Sequence, residues 1–307
     1  MPTESAHRPP TIDATAAARW ERLAPPVTSA APASPWLHEE IGRRMADRLQ
    51  WITLQPKTWA DWSPLRGGIE AHALVANRYR DAPSHVIEHD AALADRTASV
   101  LAVPWWSARR WKNAQARFDG LPEAGVDMLW ANMALHMAAD PQALIAAWHR
   151  RLATDGFLMF SCLGPDTLRE LRGLYQRMGW PAAAHEFTDM HDWGDMLVGA
   201  GFAEPIMDME RIVLTWATPE AALAELRGLG RNLHPGRFPA LRGRRWRTEL
   251  LASLAGLAMP DREDGRIVLT FEIIYGHAFK PPPRVALSGE SAVSLREMRE
   301  MLQRGRT

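Results

Sequence analysis

Residues 126–163 read VDMLWANMALHMAADPQALIAAWHRRLATDGFLMFSCL. The run VDMLWANMALH has the length of a strand and leads into Asp140-Pro141. That pair suits the start of a helix, because proline's missing N–H has no intrahelical partner in the first turn. The helix PQALIAAWHRRLA follows, Asp155-Gly156 is its expected stop, and FLMFSCL is a second apolar run. Strand, helix and strand in this order form a βαβ unit, and the economical sheet is a parallel one.

Working outward, PWLHEEIGRRMADRLQWI places Leu37, Ile41, Met45, Leu49 and Ile52 three or four residues apart, the spacing of an amphipathic helix. TWADW and SHVIEHD are short strand candidates on either side of GGIEAHALVANRY, a helix entered through glycine. Downstream, GPDTLRELRGLYQRM and HDWGDMLVGAGF are helices, the second stopped by Gly199 and Gly201. EPIMDMERIVLTW is a strand, Thr218-Pro219 opens a helix, and GRIVLTFEIIYGHAF is a long last strand able to pair antiparallel. The expectation is an α/β fold with a doubly wound, mostly parallel sheet and an antiparallel last strand. Residues 24–35 are mainly Pro, Ala and Ser, so residues 1–35 read as a flexible segment and linker that includes a short helix candidate. The domain then spans 36–280 with a basic helical cap at 227–260, and residues 281–307 form a tail.

Lys plus Arg and Asp plus Glu number 36 each, so no global field attracts nucleic acid or an anionic membrane. A single cysteine, Cys162, excludes an internal disulfide framework and a multi-cysteine zinc site, and reads as a small core residue at a strand end. The N-terminus lacks a signal-peptide pattern, and no stretch of membrane-spanning length is uninterruptedly apolar, which reads as a cytoplasmic protein. The histidines make no HExxH or other ligand spacing, so no metal is expected. Trp59, Trp62, Trp105, Trp106 and Trp111 gather around the first strand candidate.

Four stretches, SCLGPDTLRELR, FTDMHDWGDMLVGAGF, RGLGRNLHPGR and LTFEIIYGHAFKP, resemble the malonyl-acyl-carrier-protein O-methyltransferases of biotin synthesis. Their relatives include mitochondrial complex I assembly factors. The resemblance covers roughly residues 36–280 and implies the class I methyltransferase fold, with S-adenosylmethionine (SAM) bound at the carboxyl ends of the first strands. It assigns WADWSPLRG to the first strand and its glycine-rich turn, whose family form is an acid followed by G-x-G-x-G. Asp61 matches the acid, and Ser63, Leu65 and Gly67 occupy the three glycine positions.

Glycine serves such turns because positive φ and close backbone approach exclude a Cβ. Leu65 is therefore expected to clash with the cofactor's methionine part, and Pro64 removes an N–H donor. Gly67-Gly68 permits an alternative backbone path. Asp90 matches either the strand-two acid that accepts from the ribose hydroxyls or an N-cap. Asp119 is the nearest, shifted, candidate for the adenine contact. Asn132 matches the residue facing the reacting methyl, or else a strand end hydrogen-bonded to backbone. With two anchors plausible and two damaged, SAM binding is expected to be weak or lost.

Between Arg227 and Arg247 stand seven arginines and no acid. The family places this region at the active-site mouth, where Arg231 and Arg237 would hold a malonyl carboxylate or an acidic acyl carrier protein, since the guanidinium fork binds carboxylate bidentately. A solvated face is the other reading. Arg169 and Arg172 are further cations near the substrate mouth, or an exposed helix face. The function expected is the biotin-pathway methyltransferase. The alternatives are a non-catalytic binding protein that kept the fold, or a factor that assembles or modifies a protein.

Overall fold

The computed structural model describes residues 12–23, 34–102, 115–257 and 265–283. Six strands, β1 (Trp59–Trp62), β2 (Ser84–Ile87), β3 (Val126–Ala131), β4 (Leu152–Leu163), β5 (Ala203–Trp216) and β6 (Ile267–Phe279), form one sheet in the order β2-β1-β3-β4-β6-β5. β1 is parallel to β2 and β3, and β3 is parallel to β4. The last strand, β6, runs antiparallel to both of its neighbours. The helices are α1 (Ala14–Arg22), α2 (Trp36–Arg48), the single turn α3 (Pro64–Gly67), α4 (Ile69–Arg78), α5 (Ala91–Leu101), α6 (Pro141–Arg151), α7 (Arg169–Arg177), α8 (Met190–Gly199), α9 (Pro219–Leu229) and α10 (Arg244–Ala255).

Period-two alternation sorts strand side chains to the two faces. Trp59, Met128, Trp130 and Phe157 join Leu37, Ile41 and Met45 of α2, Leu171 of α7 and Leu254 of α10 in one core. Ala60, Leu129, Leu158 and Phe160 join Ile145 and Trp148 of α6 and Trp193 and Leu197 of α8 in the other. The sheet is thus covered on both faces, as a parallel sheet requires. Cys162 is buried in the second core, where desolvation pushes its thiol pKa up and keeps it inert. Asp140 and Thr218 cap α6 and α9, each accepting from the backbone N–H three residues on.

Two expectations are corrected. Asp155-Gly156 does not stop the helix: α6 ends at Arg151, β4 begins at Leu152, and Asp155 (φ 64°) lies inside the strand, where the register against β3 shifts. A left-handed Asp serves a bulge as well as a helix end, so the dipeptide alone does not distinguish them. Here its backbone is held by Lys280, with Asp155 N donating to Lys280 O and Lys280 N donating to Gly156 O. The N-terminal region also departs from a flexible segment. Residues 13–23 dock on the domain, with Ala17 and Trp20 buried against Leu233 and Asp13 N donating to Leu233 O.

Between α5 and β3 the described residues add one isolated parallel bridge, His85 to Arg117. Within the expected cap, α10 inserts Leu250 and Leu254 into the first core. Trp105, Trp106 and Trp111, and the tail beyond Pro283, lie outside the described residues.

Candidate cofactor seat and the pocket beside it

At the carboxyl ends of β1, β2 and β3, the turn after β1 decides what can bind. Ser63 takes the left-handed conformation (φ 55°, ψ 53°) that glycine would adopt, and the chain then closes into α3 and leaves it through Gly68 (φ 140°). Every backbone donor of this turn is used internally. Arg66 N and Gly67 N donate to Ser63 O, and Gly68 N donates to Pro64 O. Leu65 N donates to Glu88 Oε1 at 3.2 Å, Ile69 N to Ser34 Oγ, and Glu70 N and Ala71 N to the two oxygens of Glu39. Glu39 of α2 therefore caps α4 and occupies the helix N-terminus where a ligand's anionic group would otherwise sit.

Leu65 is fully buried in the interior and does not line the cavity, which corrects the expected clash. The residue that fills the seat is Arg66. Its Nη2 donates to Trp20 O (2.5 Å) and Leu23 O at the carboxyl end of α1, and its guanidinium lies 4.0 Å from the centroid of the Trp20 ring. The cavity left between Trp20, His38, Trp62, Ser63, Arg66 and Asn132 holds about 50 Å³. Ligand pockets are typically several hundred Å³, so as folded the seat does not fit SAM.

Unpaired polar atoms nevertheless gather around it. Arg66 Nε and Nη1, Ser63 Oγ and His38 Nε2, on residues that line it, are buried with no partner among the described residues; so is Glu88 Oε2, behind the lining. Such groups cost about 1–3 kcal/mol each when left unmet. Burial pushes the Glu88 carboxyl up to about 7 and pulls the Arg66 guanidinium down to about 10. His38, buried and donating from Nδ1 to Arg66 O, is drawn down to about 4 and is neutral at pH 7, which leaves Nε2 as an acceptor.

The expected site residues fall into separate roles. Asp61 is buried and pairs with His72 Nδ1 at 2.8 Å, its pKa raised by desolvation. Gly67 and Gly68 are required by packing, since a Cβ would meet Asn132 O at 2.9 Å in the first case and Glu39 Oε2 at 2.7 Å in the second. Asn132 lines the cavity but spends its amide on the fold: Nδ2 donates to His38 O and Gly67 O, and Oδ1 accepts from Ser161 Oγ. Asp90 caps α5 by accepting from Leu93 N at 2.9 Å. Asp119 is exposed two residues beyond the isolated bridge at Arg117 and does not line the cavity. Glu88, two residues before Asp90 and just past the end of β2, carries the buried carboxylate oxygen that has no partner among the described residues, although it does not line the cavity. Ending the strand at Ile87, where the apolar run stops, would have selected it from the sequence.

A second cavity of about 250 Å³ adjoins the first, the two sharing Met137 and Leu229 as a partition. Leu163, Leu171, Tyr175, Phe187, Leu226 and Phe271 make its wall mostly apolar. Arg231 lies on this wall, donating from Nη1 to Arg227 O and Gly230 O and standing 5.6 Å from the Trp20 ring. Arg237 pairs with Asp13 at 2.8 Å and so ties α1 to the arginine-rich segment. Arg169 is exposed beside Glu170, and Arg172 donates to Pro165 O; neither lines either cavity. Among the described residues, no cluster of His, Cys, Asp and Glu could hold a metal, and no helix is long and apolar enough to cross a membrane.

A doubly wound sheet in this strand order, with its last strand antiparallel and a cavity at the carboxyl ends of its first strands, defines the class I methyltransferase fold. Solved structures agree: a candidate methyltransferase from Bacillus halodurans C-125 superposes with a TM-score of 0.50 at 14% identity, covering 78% of this chain and 100% of that one. The YcgJ protein of Bacillus subtilis also gives 0.50, at 10% identity, covering 79% and 99%. No family model matches the chain. Among curated proteins, the malonyl-[acyl-carrier protein] O-methyltransferase of Gallionella capsiferriformans is 38% identical over 268 residues, 85% of this chain and 90% of the relative. That of Laribacter hongkongensis is 38% identical over 257 residues, 81% and 84%. The chain belongs to the malonyl-[acyl-carrier protein] O-methyltransferase family.

Proposed function

We propose that the protein methylates the free carboxylate of a malonyl group carried on an acyl carrier protein, with SAM as donor, and that α1 must lift and Arg66 must swing out before the donor can enter. The observation that carries this reading is the pair of adjoining cavities at the carboxyl ends of the parallel strands. One is ringed by unpaired polar atoms, and the other is apolar with arginine on its wall. The names of relatives up to 38% identical support it. Bound SAM would supply an activated methyl group. A carboxylate already ionised at neutral pH needs no general base, so the demand on the protein is to align the two reactants and exclude water. Arg231 and Arg237 would serve the acidic acceptor or its carrier.

Because the closed seat must be opened first, SAM affinity is expected to be weak. Calorimetric titration with S-adenosylhomocysteine (SAH), followed by labelled methyl transfer to malonyl carrier protein, tests the reading; transfer is the expected result. A folded protein with no heat at millimolar ligand and no transfer would instead establish a non-catalytic relative. The internally saturated turn after β1 favours that second reading.

A further inference from the structure

The segment between α9 and α10 carries side chains that the fold itself does not use. Phe238, Pro239, Ala240 and Leu241 are four consecutive apolar residues, and all four are exposed, Leu241 completely so. An exposed apolar run of this length costs a folded chain solubility unless something covers it. Its mounting is firm. The Arg242 guanidinium lies 4.2 Å from the centroids of the Phe238 and Trp246 rings, and Trp246 packs on Trp180 at 5.6 Å and against the first core. The base of the loop is thus pinned while Leu241 is held outward. Arginines follow at once. Arg244, Arg245 and Arg247 are exposed and have no ion-pair partner among the described residues. They stand in the first turn of α10, which contains no acid and whose cap, Gly243, makes no side-chain hydrogen bond. The positive end of the helix dipole disfavours cations there, so the helix gains nothing from them. Charge over the whole chain is balanced, but residues 237–247 hold five arginines and no acid.

An apolar tip beside unpaired cations fits a partner that offers apolar depth with anions next to it. An acidic protein and an anionic bilayer both do so, and the shape of the segment favours the bilayer. No residue from 238 to 247 lines either cavity described above, so the segment is a protrusion without a groove at its side. A protein would have to bring a pocket shaped for Leu241. The boundary between lipid headgroups and acyl chains receives any apolar side chain, while headgroup phosphates meet the guanidinium forks. We propose that residues 238–247 are a reversible docking site for an anionic lipid surface. Leu241 and Phe238 enter the headgroup boundary, and Arg244, Arg245 and Arg247 lie on the lipid phosphates. Each signal is weak by itself, since two apolar side chains bury little surface and three arginines are screened by salt. Together they give an attachment that releases. This surface goes beyond the methyl-transfer reading and does not rest on it.

The test mixes the full chain, without donor or acceptor, with sedimentable vesicles of phosphatidylcholine alone or of phosphatidylcholine and phosphatidylglycerol in equal parts. Wild-type protein should sediment with the mixed vesicles, be released by high salt, and bind phosphatidylcholine alone about a hundredfold more weakly. Arg244→Gln combined with Arg245→Gln should weaken binding to the mixed vesicles by about thirtyfold, and Leu241→Ser should weaken it by about tenfold. All three positions are exposed, so melting temperatures should stay at the wild-type value. Insertion has a readout of its own. Cys162 is the single cysteine and is buried, so Leu241→Cys accepts one thiol-reactive, environment-sensitive dye. Its emission should shift to the blue on mixed vesicles. Failure of the wild type to sediment, equal sedimentation by the variants, or a dye that stays in water while the protein is bound each overturns the proposal. Binding of an acidic carrier protein that the same variants lose, with vesicles ignored, replaces the lipid by a protein partner and overturns it as well.

Discussion

Replacing Arg66 by alanine should open the seat, and the size of the effect follows from what holds the guanidinium in place. In the closed form Arg66 gives two hydrogen bonds from its charged group to Trp20 O and Leu23 O and stacks on the Trp20 ring. Bonds of this kind contribute about 1.5–3 kcal/mol each, and a partly desolvated cation–π contact about 1 kcal/mol. Against this, Nε and Nη1 are buried unpaired and regain water when the side chain swings out, which returns about 2 kcal/mol. Opening therefore costs about 3 kcal/mol net, so roughly one molecule in a hundred or fewer is competent to bind, and apparent affinity falls by the same factor. Arg66→Ala removes that cost, and its affinity for SAH should rise about a hundredfold over wild type in a calorimetric titration. Alanine is a good helix former at this position in α3, so the turn should survive. Unchanged or weaker binding by a folded Arg66→Ala protein would refute the argument that this side chain, and not the saturated turn beneath it, closes the seat.

Three further outcomes follow from the same geometry. Leu65→Ala should destabilise the protein by about 2–5 kcal/mol in urea titrations without any gain in SAH affinity, because Leu65 is core and not cavity. Asn132→Ala should cost about 2–4 kcal/mol, since it strands His38 O, Gly67 O and Ser161 Oγ together. For Glu88 the sign is set by a folded-state pKa near 7 against 4.5 for the ordinary side chain. An acid raised in this way is most favourable while protonated, so stability is fully present below about pH 4.5, falls between there and about pH 7, and is level above. Glu88→Gln should match wild type near pH 4.5 and exceed it by up to about 3 kcal/mol at pH 8. Equal denaturation midpoints at both pH values would remove the buried-carboxylate account.

Local signals carried most of the architecture. The apolar runs at 126–131 and 157–163, the Asp140 and Thr218 caps and the heavy apolar face of α2 each have a mechanism confined to a few neighbouring residues, and each stands as read. Asp155-Gly156 misled because its left-handed preference serves two different structures. The seat was less legible, for a reason of distance. Leu65 drew attention as a replaced glycine, yet whether a side chain after β1 enters the cavity depends on α1, whose Trp20 lies 46 residues from Arg66 in sequence. Likewise, Glu88 and Asp90 each engage one oxygen, Glu88 with Leu65 N and Thr97 Oγ1 and Asp90 with the cap of α5, and they differ in that the second oxygen of Glu88 is buried without a partner among the described residues.

The docking of α1 has a consequence for the order in which ligands arrive. One end of the helix is held by Asp13, paired with Arg237 of the basic segment, and the other by Arg66 in the seat. An acidic protein that engages Arg237 competes with Asp13 for the same guanidinium, and so loosens the strap that covers the donor's entrance. Linkage makes the effect mutual: whatever factor the carrier adds to donor affinity, the donor must add to carrier affinity. Initial-rate kinetics should then show the carrier binding ahead of the donor, with the preference abolished in Asp13→Asn. Random order in the wild-type protein would mean that the strap opens without the partner's help.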